Sequence, residues 1–215
     1  IINIKFPELV NNKYAYSINL CAGIILWNLF SELSKKLINF FSEYSYIIKK
    51  ISINKALLII ISCGVPIINF FISLLIFLVF LIFIKSFLFF NIFYFIQIFI
   101  MTVIFSISVG FFLGLINVFF RDIYYIYNIF LSLLFWLTPI VYPISLVPER
   151  FIFIFEYNPL AILILSFQNL FLKTESAFNL NLLLFIFFNI FLILTSILFY
   201  KYNKNRIYDE IWWLK

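Results

Sequence analysis

Apolar residues run along this chain in stretches that are long enough to cross a lipid bilayer. Five long runs contain no charged residue, at positions 14–31, 56–84, 86–120, 123–148 and 176–200, and a shorter one lies at 157–172. A helix needs about 20 apolar residues to cross a hydrocarbon core of roughly 30 Å. The pattern predicts an all-α membrane protein with about five transmembrane helices, near residues 14–38, 57–84, 94–119, 123–142 and 178–200.

Prolines interrupt the chain after the fourth predicted helix, in the segment TPIVYPISLVP that ends at Pro148. Each proline removes a backbone donor and disfavours helix in the preceding residue. Irregular backbone survives at membrane depth where protein or a water-filled cavity satisfies it. We therefore expect a re-entrant helical hairpin over about residues 143–172, within a single integral membrane domain, 1–215. The alternative is an ordinary external loop that carries a hydrophobic hairpin.

The composition supports the membrane interpretation. The chain is 66% hydrophobic and 11% charged, whereas soluble domains carry about 25% charged residues, so lipid must solvate most of the surface. The net charge of +6 would also suit a protein that binds nucleic acid. Basic residues in excess are, however, typical of the cytoplasmic loops of membrane proteins. We therefore expect a membrane as the partner and no nucleic acid.

The positions of lysine and arginine predict the orientation. If residues 32–55 are cytoplasmic, ten of the fifteen basic residues lie on that side and five on the other. The ten are Lys35, Lys36, Lys49, Lys50, Lys55, Arg121, Lys201, Lys204, Arg206 and Lys215. The positive-inside rule then places the C-terminus in the cytoplasm.

The sequence offers little support for catalysis. It contains no histidine, Cys21 and Cys63 both lie in apolar runs, and the carboxylates are scattered over predicted loops. The sequence contains no G-x-x-x-x-G-K-[ST] phosphate loop, so the chain cannot bind ATP by that device. It therefore indicates no catalytic residue, no metal site and no cofactor of its own.

Two short motifs each allow two interpretations. Gly110 and Gly114 form a G-x-x-x-G, which lets two helix backbones approach closely, either within the chain or between two copies. Arg121 and Asp122 are an isolated charged pair between apolar runs. They are either a topology anchor or a cytoplasmic gate in a transport path, since ionisable groups at a membrane boundary are costly unless used.

Lys49, Lys50 and Lys55 form a short basic stretch between two predicted helices. Such a stretch can anchor the loop to anionic lipid headgroups. It can also belong to a short helix that docks onto a cytoplasmic partner protein. Both interpretations stay open at the level of the sequence.

Four stretches, in order, resemble one family of transporters. They are CAGIILWNLFS from Cys21, IKKI from Ile48, FRDI from Phe120, and TPIVYP from Thr138, followed by Val147-Pro148 and Asn158-Pro159-Leu160. Their order and spacing, over essentially the whole chain, are similar to the permease subunit of type 2 ABC exporters, in the branch that exports polysaccharide, O-antigen or teichoic acid.

The resemblance implies a mechanism and a set of partners. Two permease copies would form a channel between them in a bacterial inner membrane and would pair with two copies of a separate ABC ATPase subunit. The cargo would be a lipid-linked glycan. ATP would be bound and hydrolysed by the partner, so this chain itself would not be an enzyme.

The matching motifs carry candidate roles. The resemblance places Lys49, Lys50 and Lys55 in the loop that couples to the ATPase, and Arg121 and Asp122 at a cytoplasmic turn or gate. Trp27 and Trp136 would line the substrate path. The extracytoplasmic gate would consist of Pro139, Tyr142, Pro143, Pro148, Asn158 and Pro159.

The chain departs from the family pattern at two places. Ser52-Ile53-Asn54 stands where the family has a Phe-Pro, which puts the shape of the coupling loop in question. The family also carries an amphipathic helix and a first span ahead of the segment around Trp27. We expect this chain, which starts at Ile1, to hold five of the six spans.

Three other functions compete with glycan export. One is a type 2 ABC permease for drug, peptide or lipid efflux. Another is a membrane-embedded enzyme of envelope synthesis, which would lose all activity when one or two loop carboxylates are replaced. The third is a structural membrane subunit, which would tolerate substitution of Arg121.

Overall fold

The computed structural model describes residues 14–50, 55–84, 91–142, 147–172 and 182–213. Within these ranges the chain forms nine α-helices and no strand. The helices are α1 (Ala15–Ile38), α2 (Phe40–Glu43), α3 (Ser45–Lys50), α4 (Lys55–Phe83), α5 (Ile92–Phe119), α6 (Ile123–Trp136), α7 (Glu149–Glu156), α8 (Pro159–Leu172) and α9 (Leu182–Trp213).

Four of the described helices, α1, α4, α5 and α9, are long and apolar enough to cross a bilayer. Two shorter apolar helices, α6 and α8, have 14 residues each. The prediction of an all-α membrane protein is therefore confirmed.

The helix bounds differ from the predicted spans in three places. α5 begins at Ile92 rather than near residue 94, because the Asn91 side chain accepts hydrogen bonds from the backbone of Phe93 and Tyr94. Such a cap satisfies donors that a helix start leaves free. α9 continues to Trp213, well past the predicted end near residue 200. Residues 178–181 of that predicted span lie outside the described residues.

The third difference concerns the end of α6, which lies at Trp136, whereas the predicted span continues to about residue 142. A helix of 14 residues is about 21 Å long, which is less than a hydrocarbon core of roughly 30 Å. Pro139 disfavours helix at Thr138, and the Thr138 hydroxyl donates to the carbonyl of Leu134 at 2.6 Å. Residues 137–142 of the predicted span follow without helix, and α7 and α8 lie in the region 143–172 for which a re-entrant hairpin was predicted.

α1 lies at the centre of the bundle and contacts α4, α5, α6 and α8. The backbones of α1 and α5 lie close together at the two glycines of the G-x-x-x-G. A Cβ on Gly110 would lie 2.7 Å from the carbonyl oxygen of Ser34, and one on Gly114 would lie 2.5 Å from that of Leu37. The close neighbour of this motif is therefore α1, and the motif serves packing within the chain.

On one side of the bundle α2 packs with the ends of α4, α5 and α9, close to most of the basic residues. Phe40 and Phe41 of α2 pack in one cluster with Leu58 of α4, Leu115 of α5 and Ile207 of α9. We call this side the basic end. Its described basic residues are Lys35, Lys36, Lys49, Lys50, Arg121, Lys201, Lys204 and Arg206. Eight of the ten basic residues that the sequence assigned to one side thus share one end of the bundle.

The opposite end contains the irregular segment after α6, and side-chain donors bond to several backbone carbonyls there. The Tyr142 hydroxyl donates to the carbonyl of Trp136 at 3.0 Å, and that of Tyr16 donates to Val141 at 3.2 Å. The buried Gln168 amide of α8 donates to the carbonyls of Pro139 (3.3 Å) and Asn19 (3.2 Å). This is the compensation that irregular backbone requires at membrane depth.

Candidate functional site

A polar cleft of about 480 Å³ lies between α1 and α6. We call it the α1/α6 cleft. On each helix the lining residues recur at spacings of one, three or four residues, which forms one stripe along the helix. The lining residues are Trp27, Asn28, Ser31 and Lys35 of α1, and Asn128, Leu131, Ser132, Phe135 and Trp136 of α6.

The polar side chains of the cleft are tied to their own helices. Ser31 Oγ donates to the carbonyl of Asn28 at 3.2 Å, and Ser132 Oγ donates to that of Asn128 at 3.1 Å. Asn128 Nδ2 donates to the carbonyl of Tyr124 at 2.8 Å. A hydroxyl that donates keeps lone pairs on its oxygen, and the Asn128 amide oxygen is also an acceptor. The cleft can therefore accept hydrogen bonds from a ligand that carries hydroxyl groups.

An aromatic row runs through the cleft. The ring of Phe135 lies edge-on to that of Trp27, with centroids 5.4 Å apart, and edge-on to that of Trp136 at 5.8 Å. Trp27 is buried, whereas Trp136 is 67% exposed. The structure thus brings together the two tryptophans that the resemblance placed in the substrate path.

A second cavity, of about 310 Å³, lies at the basic end, and Lys35 lines it as well as the cleft. We call it the charged recess; its lining residues are Glu32, Lys35, Lys36, Asn39, Glu43, Val65, Pro66 and Tyr124. Lys36 forms an ion pair with Glu43, and Glu32 accepts a hydrogen bond from Asn69 at 3.0 Å. The recess thus has two cations and two anions. Among the residues that line the α1/α6 cleft, Lys35 is the charged one.

Buried hydrogen bonds fix the start of α6 against its neighbours at the basic end. The Tyr127 hydroxyl donates to Ser34 Oγ of α1 at 2.8 Å. Asn117 of α5 donates to the carbonyl of Ile38 and accepts from the backbone N–H of Tyr124, both at 3.3 Å. One side chain therefore joins three helices, and it holds α1 and α6 at a defined separation beside the cleft.

Arg121 and Asp122 form the exposed turn that joins α5 to α6. Neither residue is among those that line the cleft or the recess. In the described part of the chain neither side chain takes part in an ion pair. Tyr124, just after the turn, lines the recess. The turn therefore lies beside the basic end of the two cavities, and its role as a gate stays a prediction.

The predicted coupling residues lie at the surface of the basic end. Lys50 and the 64%-exposed Tyr46 of α3 contact each other, with the ammonium 4.1 Å from the ring centroid. Lys49 is half-buried on the same helix, and Lys55 begins α4, although its side chain lies outside the described residues. Ile47 packs against the cluster around Phe40, which fixes α3 to the bundle.

The described residues of the predicted gate take part in packing, in hydrogen bonds or in the starts of helices. Pro139 is buried, and its carbonyl accepts a hydrogen bond from the Gln168 amide. The Tyr142 ring lies edge-on to that of Phe155, with centroids 6.4 Å apart. Pro148 precedes α7.

Asn158 and Pro159 form the start of α8, since Asn158 Oδ1 accepts from the N–H of Leu160 at 3.0 Å. Proline suits the first helical position because its missing donor is not needed there. Pro143 lies outside the described residues.

Sequence reasoning did not identify the polar stripe itself. Asn28, Ser31, Asn128 and Ser132 each occur inside an apolar run, and the signal was their spacing of three or four residues. Intramembrane polar residues at such spacing indicate an interior or water-facing surface. No group of three or more His, Cys, Asp or Glu side chains that could hold a metal occurs among the described residues.

Comparison with known proteins adds evidence of ancestry. A family model described as ABC-2 type transporter matches residues 3–172, which include α1 to α8 and the whole cleft. Two curated relatives from Klebsiella pneumoniae, both called O-antigen export system permease protein RfbA, are 43% identical to the chain over 58 residues. That alignment covers 27% of this chain, and in it the chain spans 22% of the length of each relative.

Proposed function

Because the chain belongs to the ABC-2 type transporter family, we propose that it is the membrane-spanning subunit of an ATP-driven exporter of a lipid-linked polysaccharide. The glycan would be of the O-antigen, capsule or teichoic-acid type, and the membrane would be a bacterial inner membrane with the basic end in the cytoplasm. The two relatives that match part of the chain are named as O-antigen export permeases, which supports this class of cargo.

The observation that carries the proposal is the chemistry of the α1/α6 cleft. Sugar rings present apolar faces, which pack on exposed aromatic side chains such as Trp136, and hydroxyl groups, which bond to amide and hydroxyl oxygens. The cleft offers both kinds of contact within one stripe. A few placed polar groups in an aromatic surround are typical of ligand sites. An exporter of apolar drugs would have no use for this row of amides and hydroxyls.

A second copy of the chain completes the path in this proposal. Only two described side chains of α6, Tyr127 and Leu131, are buried. Its outer face exposes large apolar side chains, including Ile129 (66%) and Leu133 (60%). With α6 of one copy facing α6 of the other, the two open clefts would enclose a channel between the protomers.

The ATPase subunit would dock at α2 and α3. The family implies partnership with such a subunit, and α3 presents Tyr46 and Lys50 outward while Phe40 and Phe41 anchor α2 in the bundle. A displacement of α3 would be passed to α1 through α2, because α2 follows α1 after one residue, Asn39, and α3 follows α2 after one residue, Tyr44. The Asn117 and Tyr127 hydrogen bonds would then transmit the movement to α6.

Export in cells tests the proposal. The full-length gene product and its ATPase subunit would be expressed in a strain that makes the glycan but lacks its permease, and surface glycan would be measured by immunoblot. We expect surface glycan with the wild type and at least a tenfold loss with Trp136→Ala. Phe187→Ala, at a 71%-exposed position on α9, is the matched control and should export normally.

Two other outcomes would identify the competing functions. Efflux of a drug or a free lipid without surface glycan would favour the other type 2 permeases. Loss of a product at its synthesis step, with sensitivity to one loop carboxylate, would favour an envelope enzyme.

A further inference from the structure

We propose that Lys35 is the phosphate-binding residue of the α1/α6 cleft and holds the phosphate or pyrophosphate that links the glycan to its lipid. This proposal rests on the proposed function, and it assigns one residue and one chemical group within the cleft. The juxtaposition that carries it is one cation that lines both a sugar-compatible cleft and the charged recess, and that has no ion-pair partner among the described residues.

The first step is the charge balance around Lys35. Of the four charged residues that line the recess, Lys36 is paired with Glu43, and Glu32 is bonded to the Asn69 amide. Within the described residues Lys35 takes part in no ion pair. The cleft lining contains no carboxylate, so Lys35 is the one charged lining residue that a ligand there meets. A cation without a carboxylate partner in a half-buried position favours an anionic ligand.

The second step is the position of Lys35 along the helix. It lies in the last turn of α1, and the stripe continues from it through Ser31 and Asn28 to Trp27. A lipid-linked glycan has its phosphate at the junction of tail and sugar. With the phosphate on Lys35, the first sugars would lie on the hydroxyl, amide and aromatic surface that follows. A lysine suits this task because its ammonium acts as a point charge toward phosphate oxygens.

A structural role for Lys35 is the competing explanation, because cations near a helix C-terminus are favoured by the helix dipole. Lys36 shares that explanation fully: it is the next residue, in the same turn and equally half-buried. It differs in being paired with Glu43 and in lying outside the cleft lining. Lys36 is therefore a matched control for every measurement on Lys35.

The test measures binding of a fluorescent polyprenyl pyrophosphate to the full-length protein with its ATPase subunit in phosphatidylcholine nanodiscs. We expect Lys35→Met to raise the Kd at least tenfold, which corresponds to about 1.4 kcal/mol. Lys36→Met should leave it within about twofold, and Lys35→Arg should retain binding because it keeps the charge. Inorganic pyrophosphate should displace the probe from the wild type, and this arm needs no variant to fold.

Three results would overturn the proposal. One is an equal effect of Lys35→Met and Lys36→Met, and another is equal binding of the uncharged polyprenol. The third is displacement of the probe by phosphatidylglycerol as effectively as by pyrophosphate, which would make Lys35 a contact for ordinary anionic lipid.

Export of glycan by the wild type, measured in parallel, separates this proposal from the function. Normal export together with Lys35-independent binding removes only the phosphate site. Lys35-dependent binding without any glycan export removes only the function.

Discussion

The tight contact between α1 and α5 makes Gly114 the position where the smallest possible substitution should do the most damage. A Cβ there would lie 2.5 Å from the backbone oxygen of Leu37, and ordinary contact begins at about 3.4 Å. Gly114→Ala therefore requires the two backbones to separate by about 0.9 Å. The obstacle is backbone, so no rotamer change relieves it. Overpacking of this kind costs about 1–3 kcal/mol.

The separation would also lengthen bonds that define the α1/α6 cleft. Asn117 already donates to the Ile38 carbonyl at 3.3 Å, and an N–H···O bond weakens beyond about 3.2 Å. We therefore expect Gly114→Ala to lower thermal stability in detergent and to reduce export by more than the loss of folded protein explains. Scanning fluorimetry and surface glycan per folded molecule are the two measurements.

Gly64 provides the matched control, because it is also a helical glycine and a Cβ there would meet no atom within 4 Å. Gly64→Ala should be neutral or slightly stabilising, since alanine favours helix over glycine by up to about 1 kcal/mol. Equal stabilities of the Gly114→Ala and Gly64→Ala proteins would refute the close packing of α1 against α5.

Two further predictions concern the two ends of the bundle. Gln168→Leu removes the amide that donates to the Pro139 carbonyl. An unpaired buried acceptor there should cost about 1–3 kcal/mol of unfolding free energy, whereas Thr195→Ala, whose hydroxyl bonds only its own helix, should change it by less than about 0.5 kcal/mol. Replacing both Lys49 and Lys50 with Ala should weaken co-purification of the ATPase subunit in a detergent pull-down; unchanged recovery beside an unaffected Lys201→Ala control would move the docking surface away from α3.

The apolar runs predicted the four long helices well, because lipid leaves a spanning chain little choice but helix. The same reasoning overextended the helix that starts at Ile123. Hydropathy continues past Trp136, but Pro139 and the Thr138 hydroxyl end the helix there. The carbonyls freed by that ending are satisfied by Tyr16, Tyr142 and Gln168. Two of these donors lie more than 25 residues away in sequence, at separations that no local pattern reports.

The candidate site was predictable only in part. Trp27 and Trp136 were assigned to a substrate path through the resemblance, and the structure places both beside Phe135. The polar residues between them were missed, because Asn28 and Ser132 are 104 positions apart and become neighbours only when α1 and α6 pack. In the sequence, nothing distinguishes Lys35 from the other nine basic residues assigned to the same side of the membrane. Its significance depends on the pairing of Lys36 with Glu43, which the structure supplies.

Photocross-linking during export is the most direct test of whether a glycan moves along the α1/α6 cleft. A photoreactive amino acid would replace Ser132 in the cleft or, as a control, Phe187 on the exposed face of α9. Cells that make radiolabelled glycan would then be illuminated with the ATPase subunit active. We expect glycan attached to the permease at position 132 and none at 187. Export of glycan with no cross-link at 132, or with equal cross-linking at both positions, would contradict this expectation.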